Sequence, residues 1–118
     1  MRFSMGETNI FCTSRERSVD FYVGVLGFQF EEEEGGAVRL RMGERRLLLL
    51  PFAGGPLEIH PYGSQPTISF DLLVGDVDDA HAHLVAHGVT IEAPPAPDRR
   101  HLFCRDPDGL VIEIVERE

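Results

Sequence analysis

Five histidines, two cysteines, eleven arginines and twenty carboxylates are the groups able to do chemistry in this chain of 118 residues. His83 and His87 are four apart, and Asp79 precedes His83 by four. On a helix that spacing puts three donors on one face, a geometry that can clip a surface metal. The same face lies away from Val77 and Leu84, and solvated histidines are the simpler account. His101 sits where strand alternation points it toward the polar face, as a ligand contact, a general base or simply a polar residue at a strand start. His60 falls in a proline-rich stretch and reads as surface. Arg39 and Arg41 share a strand face with Glu31, where they can clamp a ligand carboxylate or make ordinary cross-strand pairs. Glu31–Glu34 is a charge run, either a solvated strand end or a rim that draws cations. Cys12 and Cys104 each lie in an apolar-alternating stretch and read as buried free thiols, with a reducing cytoplasm as the implied compartment.

Composition removes other chemistries. The formal charge is −9 and every basic residue is Arg; there is no Lys and no Trp. A Schiff-base lysine and a P-loop lysine are therefore excluded. So acidic a chain is a poor ligand for nucleic acid, where affinity rests on neutralising phosphates. No apolar run has the length of a membrane span, and MRFSMGET does not read as a signal peptide. No GxSxG, HExxH or GxGxxG pattern supports a serine nucleophile, a zincin or a dinucleotide site.

The elements that must position these residues follow from periodicity. Thr8–Thr13 alternates as a strand, and Ser14 is placed to cap a helix over Arg15–Leu26, with Val19, Tyr22, Val23 and Leu26 inward and Gly27 as its stop. Strands are expected at Phe28–Glu33, Ala37–Met42 and Arg45–Leu50, joined by Gly35-Gly36 and Gly43-Glu44 turns. Residues 51–66 hold four of the eight prolines and three glycines, which makes 52–66 a linker by composition. The pattern then repeats: a strand over Thr67–Val74, Asp76 capping a helix over Val77–His87, and strands over Val89–Ala93, Arg100–Arg105 and Leu110–Glu116. Leu26-Gly27-Phe28-Gln29-Phe30-Glu31 answers His87-Gly88-Val89-Thr90-Ile91-Glu92 at an offset of 61. Such a duplication implies an α+β fold, two tandem βαβββ modules (6–51 and 67–117) with antiparallel-type sheets curling around a cleft, within one domain.

Alternation assigns Ile10, Cys12, Phe28, Phe30, Val38, Leu40, Phe70, Leu72, Leu102, Cys104, Ile112 and Ile114 to the helix-packed faces. The opposite faces then carry Glu7, Asn9, Phe11, Gln29, Glu31, Arg39, Arg41, Ser69, Asp71, His101, Phe103, Arg105 and Glu113. A solvated sheet face accounts for such a set. A ligand cleft accounts for it too, and for the aromatic rings Phe11 and Phe103 within it.

Ser14 to Tyr22, running on to Val25-Leu26-Gly27-Phe28, resembles the first helix of the vicinal oxygen chelate superfamily, which includes glyoxalase I, bleomycin resistance proteins and extradiol dioxygenases. Phe103-Cys104-Arg105-Asp106-Pro107-Asp108-Gly109 through Glu113 is similar to the close of its last module, and Val74-Gly75-Asp76-Val77-Asp78 to its entry to the second helix. The resemblance implies metal positions at Glu7, a leucine near Leu48 or Leu49, Ser69 and Glu113. One of these is apolar and one a neutral hydroxyl, so the metal-dependent branches are disfavoured. The resemblance thus implies a homodimer without cofactor that sequesters a small amphiphilic molecule, an antibiotic for example. The acids point to a positively charged one, held by Glu7, Asn9, Phe11, Glu31, Arg39, Arg41, Ser69, Asp71, His101, Phe103, Arg105 and Glu113. The alternative it leaves is a glyoxalase-like lyase or isomerase acting through an enediolate, with a divalent metal on Glu7 and Glu113 completed by His101 or a partner subunit.

Overall fold

The computed structural model describes residues 1–117. Two compact units follow one another, Met1–Pro56 and the chain from Leu57 onward, and each carries one sheet and one helical segment.

In the first unit β1 (Thr8–Phe11) leads into α1 (Arg15–Val19), followed by β2 (Gln29–Glu34), β3 (Ala37–Met42) and β4 (Arg45–Leu50). The sheet order is β1-β4-β3-β2. β2, β3 and β4 form an antiparallel meander, but β1 lies parallel to β4. The second unit repeats this with β5 (Phe70–Val74), α2 (Val77–Ala86), β6 (Ile91–Ala93), β7 (His101–Arg105) and β8 (Val111–Glu116), in the order β5-β8-β7-β6. There β5 is parallel to β8. Both sheets are therefore mixed rather than antiparallel: the helix after the first strand is a crossover, and a crossover returns the chain parallel to where it began. Among the described residues no helix is long and apolar enough to cross a membrane.

The caps form as expected. The Ser14 hydroxyl accepts from the Arg17 backbone N–H, and the Asp76 carboxylate accepts from those of Asp78 and Asp79. Gly35 and Gly36, at φ of 60° and 86°, supply the two left-handed residues of a tight hairpin between β2 and β3. The first helix departs from expectation. It is α-helical only to Val19 and continues over Asp20–Val25 as a π-helix, whose wide turn is seen in the Leu26 N–H donating to the Phe21 carbonyl at 3.0 Å. Val23-Gly24-Val25 is a poor α-helical triplet. The wider turn buries Ser18, Phe21 and Tyr22 and leaves Val19 and Val23 only half-buried. Tyr22 meets Phe21 and Phe28 edge-on, with centroids 5.0 and 5.9 Å apart.

The cores match the alternation closely. Ile10, Cys12, Phe28, Val38, Leu40, Leu47 and Leu49 are buried in the first unit, and Val77, Leu84, Leu102, Cys104, Ile112 and Ile114 in the second. Neither cysteine is in a disulfide. Three positions depart: Phe70 and Leu72 in β5 are only half-buried, and Phe30 pairs across from Leu40 yet, as part of edge strand β2, stays 51% exposed.

Candidate functional site

The open face of the first sheet is an ion-pair lattice. In register across it run Asn9, Leu48, Arg39 and Glu32. The Arg39 guanidinium grips Glu7 with two bonds, Nε to Oε2 at 2.5 Å and Nη2 to Oε1 at 3.1 Å, and also pairs with Glu32. That bond holds the Glu7 carboxyl below the usual carboxylate range. A bulge in β2 at Glu31 places Glu31 and Glu32 together opposite the arginines. Glu31 pairs with Arg46 at 3.0 Å and Arg41 at 3.5 Å, and Arg41 also donates to Gln29. Three acids thus meet three arginines, and the charge at the centre of this face is balanced; Glu34 stands apart at its hairpin end, opposite Ala37. Leu48 and the 58% exposed Phe11 complete the face.

The second sheet presents a different surface. Asp71 lies beside Glu113 in the parallel pair, and Glu113 lies beside Phe103 in the antiparallel one. Among the described residues neither carboxylate has an ion-pair partner. His101 meets Phe103 edge-on at 5.5 Å, and Leu73, one row away, is 56% exposed.

Arg105, expected to face a ligand, is instead buried and fully engaged. Its guanidinium donates to Glu92 at 2.6 Å, to the Gly109 carbonyl at 2.8 Å and to the His60 carbonyl at 2.8 Å. It holds structure together rather than meeting a ligand. The Asp106-Pro107-Asp108-Gly109 turn is structural in the same way. Buried Asp106 accepts from the backbone N–H groups of Asp108 and Leu110, both at 2.9 Å. Gly109 has φ +95°, and a Cβ there would sit 2.8 Å from Ile59 Cδ1. Burial pushes the Cys104 thiol up to about 11, with Asp106 adding to it, which argues against a nucleophilic role.

Residues 57–69 do not behave as a loose linker. The Leu57 N–H donates to the Asp108 carbonyl, Arg105 holds His60, and Tyr62 stacks on Phe103 with centroids 4.3 Å apart at 29°. The Tyr62 hydroxyl lies 3.2 Å from Ser69 Oγ. Ser69 therefore precedes β5 rather than lying in a strand begun at Thr67, because the segment turns to cover the sheet. Under it is a recess of about 130 Å³, walled by Leu57, Pro61, Tyr62, Ile68, Ser69 and Val111 among others. Tyr62 and Glu92 escaped the sequence reading. Glu92 carried a signal, since it repeats Glu31 at the 61-residue offset; Tyr62, in a proline-rich stretch with no period, carried none. His83 and His87 are exposed, as expected, their rings 4.5 Å apart at the end of α2.

The profile of the Glyoxalase/Bleomycin resistance protein/Dioxygenase superfamily matches residues 4–114. The chain belongs to this superfamily. Catechol-2,3-dioxygenase of Bacillus subtilis is 29% identical over 114 residues, 93% of this chain and 40% of that protein. The uncharacterized protein YaeR of Escherichia coli is 45% identical over 47 residues, 37% of this chain and 36% of that one. The chain thus spans two-fifths or less of the length of the curated relatives it matches. Among solved structures, the trypanothione-dependent glyoxalase I of Leishmania major aligns with a TM-score of 0.76 at 23% identity, covering 98% of this chain and 87% of that one. This likeness shows the shared fold of two βαβββ modules.

The four positions at which the superfamily resemblance implies metal ligands do not fit a divalent ion here. Glu7 is held by Arg39, whose positive charge opposes a cation at that carboxylate. Leu48 offers no donor and Leu49 is buried toward the helix. Ser69 is a neutral hydroxyl beside Tyr62. Only Glu113 keeps a carboxylate without a partner, and a single carboxylate does not make a site for Zn²⁺ or Ni²⁺.

Proposed function

We propose that this chain binds a small amphiphilic cation, without a metal, on the open face of its second sheet. The observation that carries the reading is the pair Asp71 and Glu113, side by side, unpaired, and next to the Phe103 ring. Adjacent carboxylates attract positive charge, and an aromatic neighbour adds apolar area and a quadrupole that favours cations. The field around them is one-signed: from Leu57 onward four arginines face twelve acids, against seven and eight in Met1–Pro56. The first sheet makes the poorer charged subsite because the acids at its centre, Glu7, Glu31 and Glu32, are already neutralised by Arg39, Arg41 and Arg46. Sequestration of a molecule such as an antibiotic fits this surface better than an enediolate reaction, which needs a Lewis acid that the donor set does not hold. We further propose that the protein acts in the cytoplasm, where its buried thiols stay reduced, as a homodimer with no nucleic-acid partner.

Thermal-shift titration with bleomycin and with the aromatic cation N-methylacridinium tests this. A ligand at a hundred times its Kd stabilises by about 2.7 kcal/mol. The shift should persist in EDTA, shrink at high salt and fall in Asp71→Asn and Glu113→Gln. A response that requires added metal, or one indifferent to both substitutions, overturns the proposal.

A further inference from the structure

We infer that Tyr62 is an occluding side chain: its ring holds the place on Phe103 that the aromatic part of a cationic ligand takes, so the site selects planar aromatic cations by exchanging one ring for another. The inference rests on the cation-binding reading of Asp71 and Glu113.

Phe103 is not a free platform. Tyr62 lies stacked on it at 4.3 Å and His101 closes against it edge-on at 5.5 Å. A ligand ring seeking the Phe103 face beside Glu113 finds Tyr62 already there. The hold on Tyr62 is slight by comparison with the anchoring of its segment. The backbone is tied at Leu57, through Asp108, and at His60, through buried Arg105. Tyr62 lies beyond the second tie and is followed by Gly63 at φ +78°. Its polar tether is a single hydroxyl contact to Ser69, and the residue is 40% exposed. The recess of about 130 Å³ borders the ring, so turning it away breaches no packed core.

The exchange gives the site a chemical preference. A planar aromatic cation recovers the stacking lost with Tyr62 and brings its charge beside Glu113 and Asp71. A ring-free ammonium uses the carboxylates alone and leaves Tyr62 in place.

The test is a fluorescence titration of wild type, Tyr62→Ala and Tyr62→Phe with N-methylacridinium, with tetramethylammonium as competitor. The expected result is about tenfold tighter dye binding in Tyr62→Ala, equivalent to about 1.4 kcal/mol. Tyr62→Phe, which keeps the ring and loses the hydroxyl contact, should gain about threefold, and the competition constant of tetramethylammonium should be the same in all three. Dye binding that is unchanged or weaker in Tyr62→Ala, with wild type still binding through Asp71 and Glu113, overturns the occluding role and leaves the cation reading standing. An equal gain for tetramethylammonium also overturns it, because that would be a general loosening of the segment. If no variant binds the dye, the cation reading fails and the occluding role with it.

Discussion

Arg41 and Arg105 occupy matching places in the two units, two residues after Arg39 and Phe103 in the strand that pairs with the central one. Each has an acid from the same point of the duplicated pattern as its partner, Glu31 for Arg41 and Glu92 for Arg105. In the first unit the pair is loose, at 3.5 Å, with 46% of the arginine side chain in water. In the second it is short and the arginine side chain is 8% exposed, because residues 57–66 fold over it and supply the His60 carbonyl. The pair at matching positions is a surface contact in one unit and an anchor in the other. The same divergence runs along the row above: Leu48 beside Arg39 in the first unit, Glu113 beside Phe103 in the second. Charge is balanced where arginines line the face and left unbalanced where they do not.

The comparison breaks most sharply at the two arginines. Arg105→Met leaves the Gly109 and His60 carbonyls without their donor under the covering segment, and should cost about 3 kcal/mol in urea unfolding. Arg41→Met should stay within about 0.5 kcal/mol, as exposed pairs do. Arg105→Met should also release Tyr62 from Phe103, visible in the near-ultraviolet circular dichroism of a chain with only two tyrosines and no tryptophan. Equal costs for the two substitutions would mean that the covering segment adds nothing to the second pair.

The next test exchanges identities on the central strands. Glu113→Leu should weaken N-methylacridinium binding about tenfold, or about 1.4 kcal/mol. Leu48→Glu should create no new dye site, because the added carboxylate lands opposite Arg39 and is neutralised as Glu7 is. A dye site gained in Leu48→Glu would show that position in the sheet, not the neighbouring arginine, decides where cations bind.

The sequence makes the shared fold of the two units legible, and their divergence hardly at all. The duplicated order, both helix caps and nearly all core positions follow from period and local propensity, which neighbouring residues carry by themselves. The open faces were legible only as lists. Alternation places Arg39 and Glu7 on one side but does not say that they clasp each other, since that depends on the parallel register of β1 on β4. The bulge at Glu31 breaks the alternation itself, and the run of four identical residues there hides where the slip falls. The π-helix is a one-residue difference that a helical stripe averages over. Residues 57–69 have no period at all; their fold is set by tertiary ties to Arg105, Asp108 and Phe103, so neither Tyr62 nor the burial of Arg105 could be anticipated.

The helix caps offer a smaller contrast. Asp76 accepts two backbone N–H bonds at the start of a ten-residue helix, whereas Ser14 accepts one at the start of a five-residue α-helical stretch. Asp76→Ala should cost about 1 kcal/mol and Ser14→Ala about 0.5 kcal/mol in chemical denaturation. A larger loss at Ser14 would show that the π-helical continuation leans on that cap more than the bonding suggests.

The smallest expected effect is on acid stability, and here the two units should behave alike. Glu7 is held below the ordinary carboxylate value of 4.5 by its hydrogen bond to Arg39. Glu116 is held below it by Arg100 and by the Val77 backbone N–H. A carboxyl with a lowered value in the folded state takes up its proton more readily when unfolded. Its stabilisation is therefore complete above the ordinary value and is lost as pH falls through the depressed one. Both groups lie half-buried at the surface, with 29% and 26% of the side chain exposed, so each loss is modest and is screened further by salt. Melting temperature followed downward from pH 5 should fall less steeply in Glu7→Gln and in Glu116→Gln than in wild type, with all three curves parallel near neutrality. An unchanged acid slope in Glu7→Gln alone would mean that the Arg39 lattice is not maintained in solution. The first sheet would then have a free carboxylate at its centre, and the contrast between a neutralised face and a charged one would lose its first term.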